Sequence, residues 1–149
     1  MRGSILGTEV RRVEDPELIQ GQGTYVDNLD FPNALHLVFV RSPFAHARIT
    51  GIEIEEAASA PGVRAVYTSE NLSLAAQVGA IPLNAACARP PLAVGKVRFV
   101  GDVVAAVIAD TRAQAQDAAE LVVVDYDPLG AVVDLEAALA PDAPLQFEE

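Results

Sequence analysis

The segment VVAAVIADTRAQAQDAAELVVVDY (residues 103–126) contains the clearest periodic pattern in the chain. It begins with an uninterrupted apolar run, which is typical of a strand that is buried on both faces. Thr111 then predicts a helix N-cap, and Gln114, three residues later, completes a capping box. The β-branched residues that follow predict a second strand, which ends at Tyr126. Because a helix joins the two strands, we predict a parallel, right-handed crossover in a mixed sheet.

The residues upstream of this unit predict further strands. Residues 34–40, ALHLVFV, are apolar on both faces of an extended chain and predict an interior strand. Residues 47–54 and 63–68 predict two more strands. The first two strands lie so close in sequence that only an antiparallel or bent connection can join them. The whole pattern predicts a mixed α/β (α+β) domain.

Length and composition indicate one domain, residues 1–149, of ordinary globular type. Hydrophobic residues make up 51% of the chain and charged residues 21%. Residues 1–20 are polar and predict an N-terminal extension. Residues 73–96 are irregular and rich in proline, which cannot donate to a sheet ladder, so they predict a long loop.

Charge and composition exclude several classes of function. The net charge of -11 disfavours nucleic acid and anionic membranes as partners, because both would repel the chain. The single cysteine excludes an internal disulfide and an iron–sulfur cluster held by this chain alone. No apolar run is long enough to span a bilayer, and the N-terminus lacks the apolar core of a signal peptide. We therefore expect a cytoplasmic protein without membrane insertion.

The segment FVRSPFAHARI (residues 39–49) offers the best candidate for a catalytic pair. Ser42 and His46 are four residues apart and suggest a nucleophile with its base. No Gly-x-Ser-x-Gly elbow surrounds the serine, and Asp or Glu residues for a third member occur everywhere. A turn stabilised by local hydrogen bonds is the favoured interpretation. Arg41, His46 and Arg48 are then polar groups at a turn, free to meet another domain.

A metal site is a second candidate, because His36, His46 and Cys87 could supply ligands. Their spacing matches no metal-binding motif, and His36 falls inside a predicted strand. The favoured interpretation is one core histidine, one surface histidine and one small buried thiol.

Glycine-rich phosphate sites are a third candidate. Gly21-x-Gly23 lacks a third glycine, because Val26 occupies that position. The dipeptide Gly95-Lys96 lacks the Ser or Thr that follows the lysine in a phosphate-binding loop. Both are interpreted as turns. From the residues alone we therefore predict no catalytic, cofactor-binding or metal-binding residue in this chain.

Several strings in fixed order nevertheless resemble one enzyme family. They are RRVEDPELIQGQGTYVDNL, LHLVFVRSPFAHARI, APGVRAVYTSENL, RPPLAVGKVRFVGDVVAAVIADTRAQAQDAAELVVVDYDPLGAVVD and EAALAPDAP. Together they resemble the N-terminal a/b hammerhead domain in the molybdenum-binding large subunit of the xanthine dehydrogenase, aldehyde oxidase and carbon monoxide dehydrogenase family. The first string is most similar to bacterial carbon monoxide dehydrogenase-type subunits. The resemblance extends from about Val10 to Pro144. Asp102 stands where the family usually has glutamate, and we expect this to affect only local turn geometry.

The resemblance implies a parent enzyme that oxidises or hydroxylates a substrate carbon, or oxidises carbon monoxide. Such an enzyme uses a molybdenum–pterin cofactor, and electrons leave through iron–sulfur clusters and FAD on other subunits or domains. The family's pterin-binding loops and catalytic glutamate belong to the domains that follow the hammerhead. No residue of this chain is matched to either. The implied role is a structural or interface domain, or a small subunit, that is inactive alone and binds a molybdopterin-binding domain.

One alternative function and one docking surface complete the expectations. A stand-alone module that binds a small molecule or protein could keep the fold without the enzyme activity. The proline-rich residues Ile81–Lys96 are the predicted docking surface, since long loops with few internal hydrogen bonds often bind partners. A plain surface loop is an equal interpretation of the same residues.

Overall fold

The computed structural model describes residue 7 and residues 11–29, 31–78 and 84–147. The chain divides into two compact units, Met1–Asn33 and Ala34–Glu149. The first unit contains helix α1 (Asp15–Ile19) and a 3-10 helix at Val26–Asn28. Pro16 lies in the first turn of α1, where its missing N–H removes no helical hydrogen bond. No helix within the described residues is long and apolar enough to cross a bilayer.

The second unit contains two three-stranded sheets whose strand pairs are all antiparallel among the described residues. Sheet 1 has the order β1-β5-β3, and sheet 2 has the order β4-β2-β6. Their strands are β1 (His36–Arg41), β2 (Ala47–Glu53), β3 (Val63–Thr68), β4 (Lys96–Val97), β5 (Val103–Ala109) and β6 (Val123–Pro128). Helices α2 (Glu55–Ser59) and α3 (Arg112–Glu120) complete the unit, with 3-10 helices at Ala85–Cys87 and Ala137–Leu139.

The predicted strand–helix–strand unit at Val103–Tyr126 is present, and the mixed α/β class is confirmed. The predicted parallel crossover within one mixed sheet is wrong. Strand β5 pairs with β1 on one edge and β3 on the other, so neither edge is free for β6. Strand β6 instead pairs with β2 in the second sheet. The prediction fails because the local sequence pattern shows that β6 is a strand but does not show which other strand it pairs with.

Helix α3 begins as the sequence predicts. The Thr111 hydroxyl oxygen accepts a hydrogen bond from the backbone N–H of Gln114 at 3.2 Å. The same hydroxyl donates to the Gln114 side-chain oxygen at 2.9 Å. Ala115 and Ala118 of this helix are fully buried. Small side chains let the helix axis approach the sheet closely, which makes this contact possible.

The core lies between one face of sheet 1 and the two helices α2 and α3. Alternation along the strands directs Val107, Ala105 and Val66 toward the helices, where Ala57 and Ala118 meet them. A second, smaller cluster joins β5 to sheet 2 through Ala47, Ala93, Val97 and Val104. The helices thus cover one face of sheet 1, which we call the covered face.

Strand β1 is an edge strand, so the prediction of an interior strand is wrong. Val40 packs against the core cluster on the covered face. Leu37 and Phe39 point the other way and remain 51% and 42% exposed. The sequence pattern showed apolar residues on both faces, but apolar character does not show that this chain covers both.

Candidate functional site

Ser42 closes a tight turn at the end of β1. The serine is 2% exposed. Its hydroxyl oxygen accepts from the Phe44 N–H at 3.0 Å, and its O–H donates to the Phe44 carbonyl at 3.1 Å. The predicted turn with local hydrogen bonds is therefore confirmed. The hydroxyl lies beside its own turn rather than beside His46, and a Ser–His catalytic pair is not formed.

His46 is buried, so the prediction that it lies free at an exposed turn is wrong. The residue is 5% exposed, because the segment after β6 folds over it. Leu129 donates its N–H to the His46 carbonyl at 2.9 Å. The imidazole Nδ1 lies 2.8 Å from the Gly130 carbonyl oxygen, which can only accept, so Nδ1 carries the proton. Nε2 is also buried and has no hydrogen-bond partner among the described residues.

Asp102 is a buried carboxylate that the sequence did not mark as important. It is 3% exposed. Its oxygens accept from the Arg98 backbone N–H at 3.0 Å and from the Arg89 guanidinium at 3.4 Å. Its backbone carbonyl also accepts from the Ser42 N–H at 2.9 Å. The aspartate therefore does more than shape a local turn. It joins the loop before β4 to the turn after β1.

Tyr126 completes this group. Its ring packs against Phe44 with centroids 5.1 Å apart. Burial raises the pKa of the Tyr126 hydroxyl, a hydrogen bond with Ser42 lowers it, and the negative charge of Asp102 raises it further. We call Ser42, His46, Asp102 and Tyr126 the polar corner. Ser42, His46 Nδ1 and Asp102 have hydrogen-bond partners within the chain, and His46 Nε2 has none in the part that the structure describes. Hydrogen bonds that stay within the chain are typical of a structural network.

The other candidates from the sequence lie apart. His36 is exposed on edge strand β1. Cys87 is exposed in a 3-10 helix, so the prediction of a small buried thiol is wrong. Within the described ranges, no group of three His, Cys, Asp or Glu side chains converges as metal ligands do.

The glycine candidates lie in turns. Gly21 and Gly95 adopt positive φ angles of 70° and 65°, which favour glycine. Gly23 lines a small cleft of about 120 Å³ with Glu14 and Glu17. Two carboxylates beside this cleft would repel a phosphate group. The interpretation of both glycine candidates as turns is supported.

The second unit has a concave surface on the face of sheet 1 that the helices leave uncovered. It forms a groove of about 510 Å³. We call this the open face, and its walls include Leu37, Phe39, Tyr67, Leu92, Ala106 and Ile108. The strand register places Leu37 beside Ile108 and Phe39 beside Ala106, so the apolar row is continuous. Sequence reasoning missed this surface, although the apolar residues of both strands were visible.

Comparison with known proteins identifies the fold. Residues 20–130 match the family described as aldehyde oxidase and xanthine dehydrogenase, a/b hammerhead domain. The chain belongs to this family. The resemblance found in its ordered strings is thereby confirmed, including the hammerhead type of fold. The helices on the covered face and the two antiparallel sheets are this chain's version of that fold.

Known relatives of this hammerhead domain are oxidoreductases. The carbon monoxide dehydrogenase large chain of Afipia carboxidovorans is 44% identical over 144 residues, which are 97% of this chain and 18% of the relative. The nicotine 6-hydroxylase large subunit of Paenarthrobacter nicotinovorans is 40% identical over 88% of this chain and 16% of the relative. The aldehyde oxidoreductase structure from Desulfovibrio gigas aligns with a TM-score of 0.77 at 33% identity, covering 92% and 16% of the two chains. The hammerhead chain thus spans less than a fifth of each.

The open face of sheet 1 does not fit a molybdenum–pterin group. A pterin is a polar heterocycle that needs several hydrogen-bond partners, whereas the open face is lined almost wholly by apolar side chains. Arg89 and Arg98, which could bind a phosphate, are already held by Asp102 and by the Gln146 carbonyl. The chain has one cysteine, too few for an iron–sulfur cluster. The open face is instead an apolar surface that is partly exposed.

Proposed function

We propose that this chain is a structural and interface domain of a molybdenum-dependent oxidoreductase and does not itself hold the molybdopterin. One observation carries the proposal. A hammerhead-family chain that spans less than a fifth of the three relatives named above leaves a large apolar face of sheet 1 uncovered. In water such a face favours burial against another protein surface. In the polar corner, Ser42, His46 and Asp102 each form hydrogen bonds with other residues of this chain, which supports a structural role for them.

The proposed partner is a molybdopterin-binding domain or subunit, in an assembly that also carries iron–sulfur and flavin groups. The assembly would oxidise or hydroxylate its substrate, while this chain alone would be inactive. A cytoplasmic location and a single hammerhead-like domain over residues 1–149 belong to the same proposal. The named relatives act on substrates as different as carbon monoxide and nicotine, so no substrate is proposed.

Co-expression tests this proposal. The chain is produced together with the molybdopterin-binding domains of the large chain, and separately on its own. We expect it to co-purify with a molybdenum-containing complex that reduces an artificial electron acceptor, and to contain no molybdenum when produced alone. Metal analysis by mass spectrometry and a dye-reduction assay measure both. Absence of a complex, or molybdenum bound by the chain alone, contradicts the proposal.

A stand-alone binding module is the second candidate, and the groove of about 510 Å³ favours it. Its volume lies within the range of small-molecule pockets. If the chain is a stand-alone binding module, we expect a monomer whose melting temperature rises when an apolar ligand is added. We also expect it to form no complex in the co-expression test. Ile108→Asp, which places a charge in the groove, should abolish the ligand-dependent rise. A thermal-shift screen with sedimentation analysis distinguishes the two candidates.

A further inference from the structure

The open face of sheet 1 has the exposure expected of an interface rather than of an ordinary surface. Leu37 and Phe39 of β1 are 51% and 42% exposed, and Leu35, just before the strand, is 53% exposed. Ile108 and Ala106 of β5 lie beside them and extend the apolar row across the sheet. Exposed apolar residues that are scattered singly need no explanation, whereas a continuous row marks an interaction site.

Arg41 places a positive charge at one end of this row. Its guanidinium stands 5.4 Å from the centroid of the Phe39 ring. One of its nitrogens donates to the Gly101 carbonyl at 2.9 Å, which holds the side chain over the ring. Because the position of the cation is fixed before a partner arrives, little side-chain entropy is lost when a carboxylate approaches it. A matching partner surface is therefore apolar with an acidic group at its edge.

A second copy of the chain suits this face poorly. Each copy carries a net charge of -11, so two copies repel each other at long range. A two-fold interface would also press the same patch against itself, and it would supply Arg41 with a carboxylate only if one lay on the patch. The residues lining the groove include no Asp or Glu. A small molecule suits it poorly too, because the groove supplies few polar groups to orient one.

We propose that the open face is the surface on which the cofactor-binding remainder of the large chain docks, with a carboxylate of that partner meeting Arg41. This inference rests on the proposed function and names the surface and chemistry of its contact. Leu92, which lines the groove, belongs to the predicted docking segment Ile81–Lys96, of which residues 81–83 lie outside the described residues. Strands β1 and β5 thus supply half of the lining residues, and Pro91 and Leu92 of the loop line the same groove.

The test measures binding in trans between this chain and the separately purified remaining domains of the large chain. Leu37→Glu and Phe39→Glu place a charge in the apolar row. We expect each to weaken binding by about tenfold or more, as substitutions in the buried centre of an interface do. Val123→Glu on β6 is the matched control, because Val123 is 50% exposed but lies in sheet 2. The control should bind like the unaltered chain, and circular dichroism checks that every variant is folded.

Charge reversal tests the proposed carboxylate. Arg41→Glu should slow association several-fold and weaken its dependence on salt, because a favourable charge pair becomes a repulsive one. Arg112→Glu is the control of equal charge change, since it lies at the start of α3. Equal effects of the two variants would overturn the assignment of a carboxylate opposite Arg41.

The remaining outcomes separate this inference from the proposed function. If the unaltered chain binds and Leu37→Glu binds equally well, the docking face is wrong while the proposed function stands. If the unaltered chain does not bind, both fail. If sedimentation shows a dimer of the unaltered chain that Leu37→Glu converts to a monomer, a second copy occupies the face and the inference is overturned.

Discussion

The covered and open faces of sheet 1 are built from the same strands and the same kinds of residue, yet they meet different surroundings. On the covered face, Val107 is fully buried beneath α3, whose Ala118 lies against the same cluster. On the open face, Leu37 and Phe39 remain about half exposed, and no helix among the described residues lies over them. The contrast teaches that burial within one chain, rather than apolar character, separates residues that hold the fold from residues available to a partner.

The largest expected difference in the free energy of unfolding is between a charge placed on the covered face and the same charge placed on the open face. Val107→Asp buries a carboxylate without a partner and should lower the free energy of unfolding by at least about 4 kcal/mol. Leu37→Asp leaves its carboxylate in water and should cost less than about 1 kcal/mol. Urea unfolding followed by circular dichroism compares the two. Equal losses would show that the two faces do not differ in the way described.

A smaller effect should come from the polar corner, at the turn where β5 begins. Asp102→Ala leaves the Arg98 N–H without its acceptor and should cost about 2–3 kcal/mol. Asp102→Asn keeps an acceptor but removes the charge that Arg89 pairs with, and should cost about half as much. Chemical denaturation measures both. If asparagine costs as much as alanine, the charge matters more than the hydrogen bond.

Weakening helix α3, which packs on the covered face, should lower the free energy of unfolding by a smaller amount. Thr111→Ala removes the hydroxyl that caps α3 and should cost about 1 kcal/mol. Thr111→Ser keeps the capping oxygen and is the matched control. Because α3 packs on the covered face, hydrogen exchange of the helix amides should rise in the alanine variant. Unchanged exchange would mean that packing alone fixes the start of the helix.

The smallest expected effect is a change in stability at alkaline pH. Burial raises the pKa of Tyr126 above that of an unfolded tyrosine, so the folded state holds this proton more tightly. The resulting stability is complete below about pH 10, the unfolded pKa, and is lost as the pH rises through the folded value. Tyr126→Phe should therefore lose less stability than the unaltered chain between neutral pH and about pH 11. Thermal melts across this range check the difference, and parallel curves would contradict it.

Local signals in the sequence predicted local structure well. Thr111 and Gln114, the two residues of the capping box, marked the start of α3. These features depend on residues within one or two helical turns of each other. The ordered strings then identified the hammerhead family, because several weak matches in fixed order are specific together.

Properties that depend on distant parts of the chain were predicted poorly. His46 is buried because residues after β6 fold over it, and nothing near His46 in sequence announces that. Cys87 is exposed although cysteine is commonly buried. The partner of β6 could not be read from its own residues, since every strand edge satisfies the same backbone hydrogen bonds. The open face was missed for the same reason, because coverage is a property of the whole chain.

The pairing of the strands also sets the order in which the fold can form. Strand β1 pairs with β5, β2 pairs with β4 and β6, and β3 pairs with β5, so among the described strands none of the first three pairs with another. During synthesis, which proceeds from the N-terminus, these apolar strands must therefore wait for residues 96–128 before either sheet can close. Closing such long loops costs entropy before any pairing compensates for it, so folding should be slow. The nascent chain is then most exposed to aggregation, and most in need of chaperones, just before β5 emerges from the ribosome.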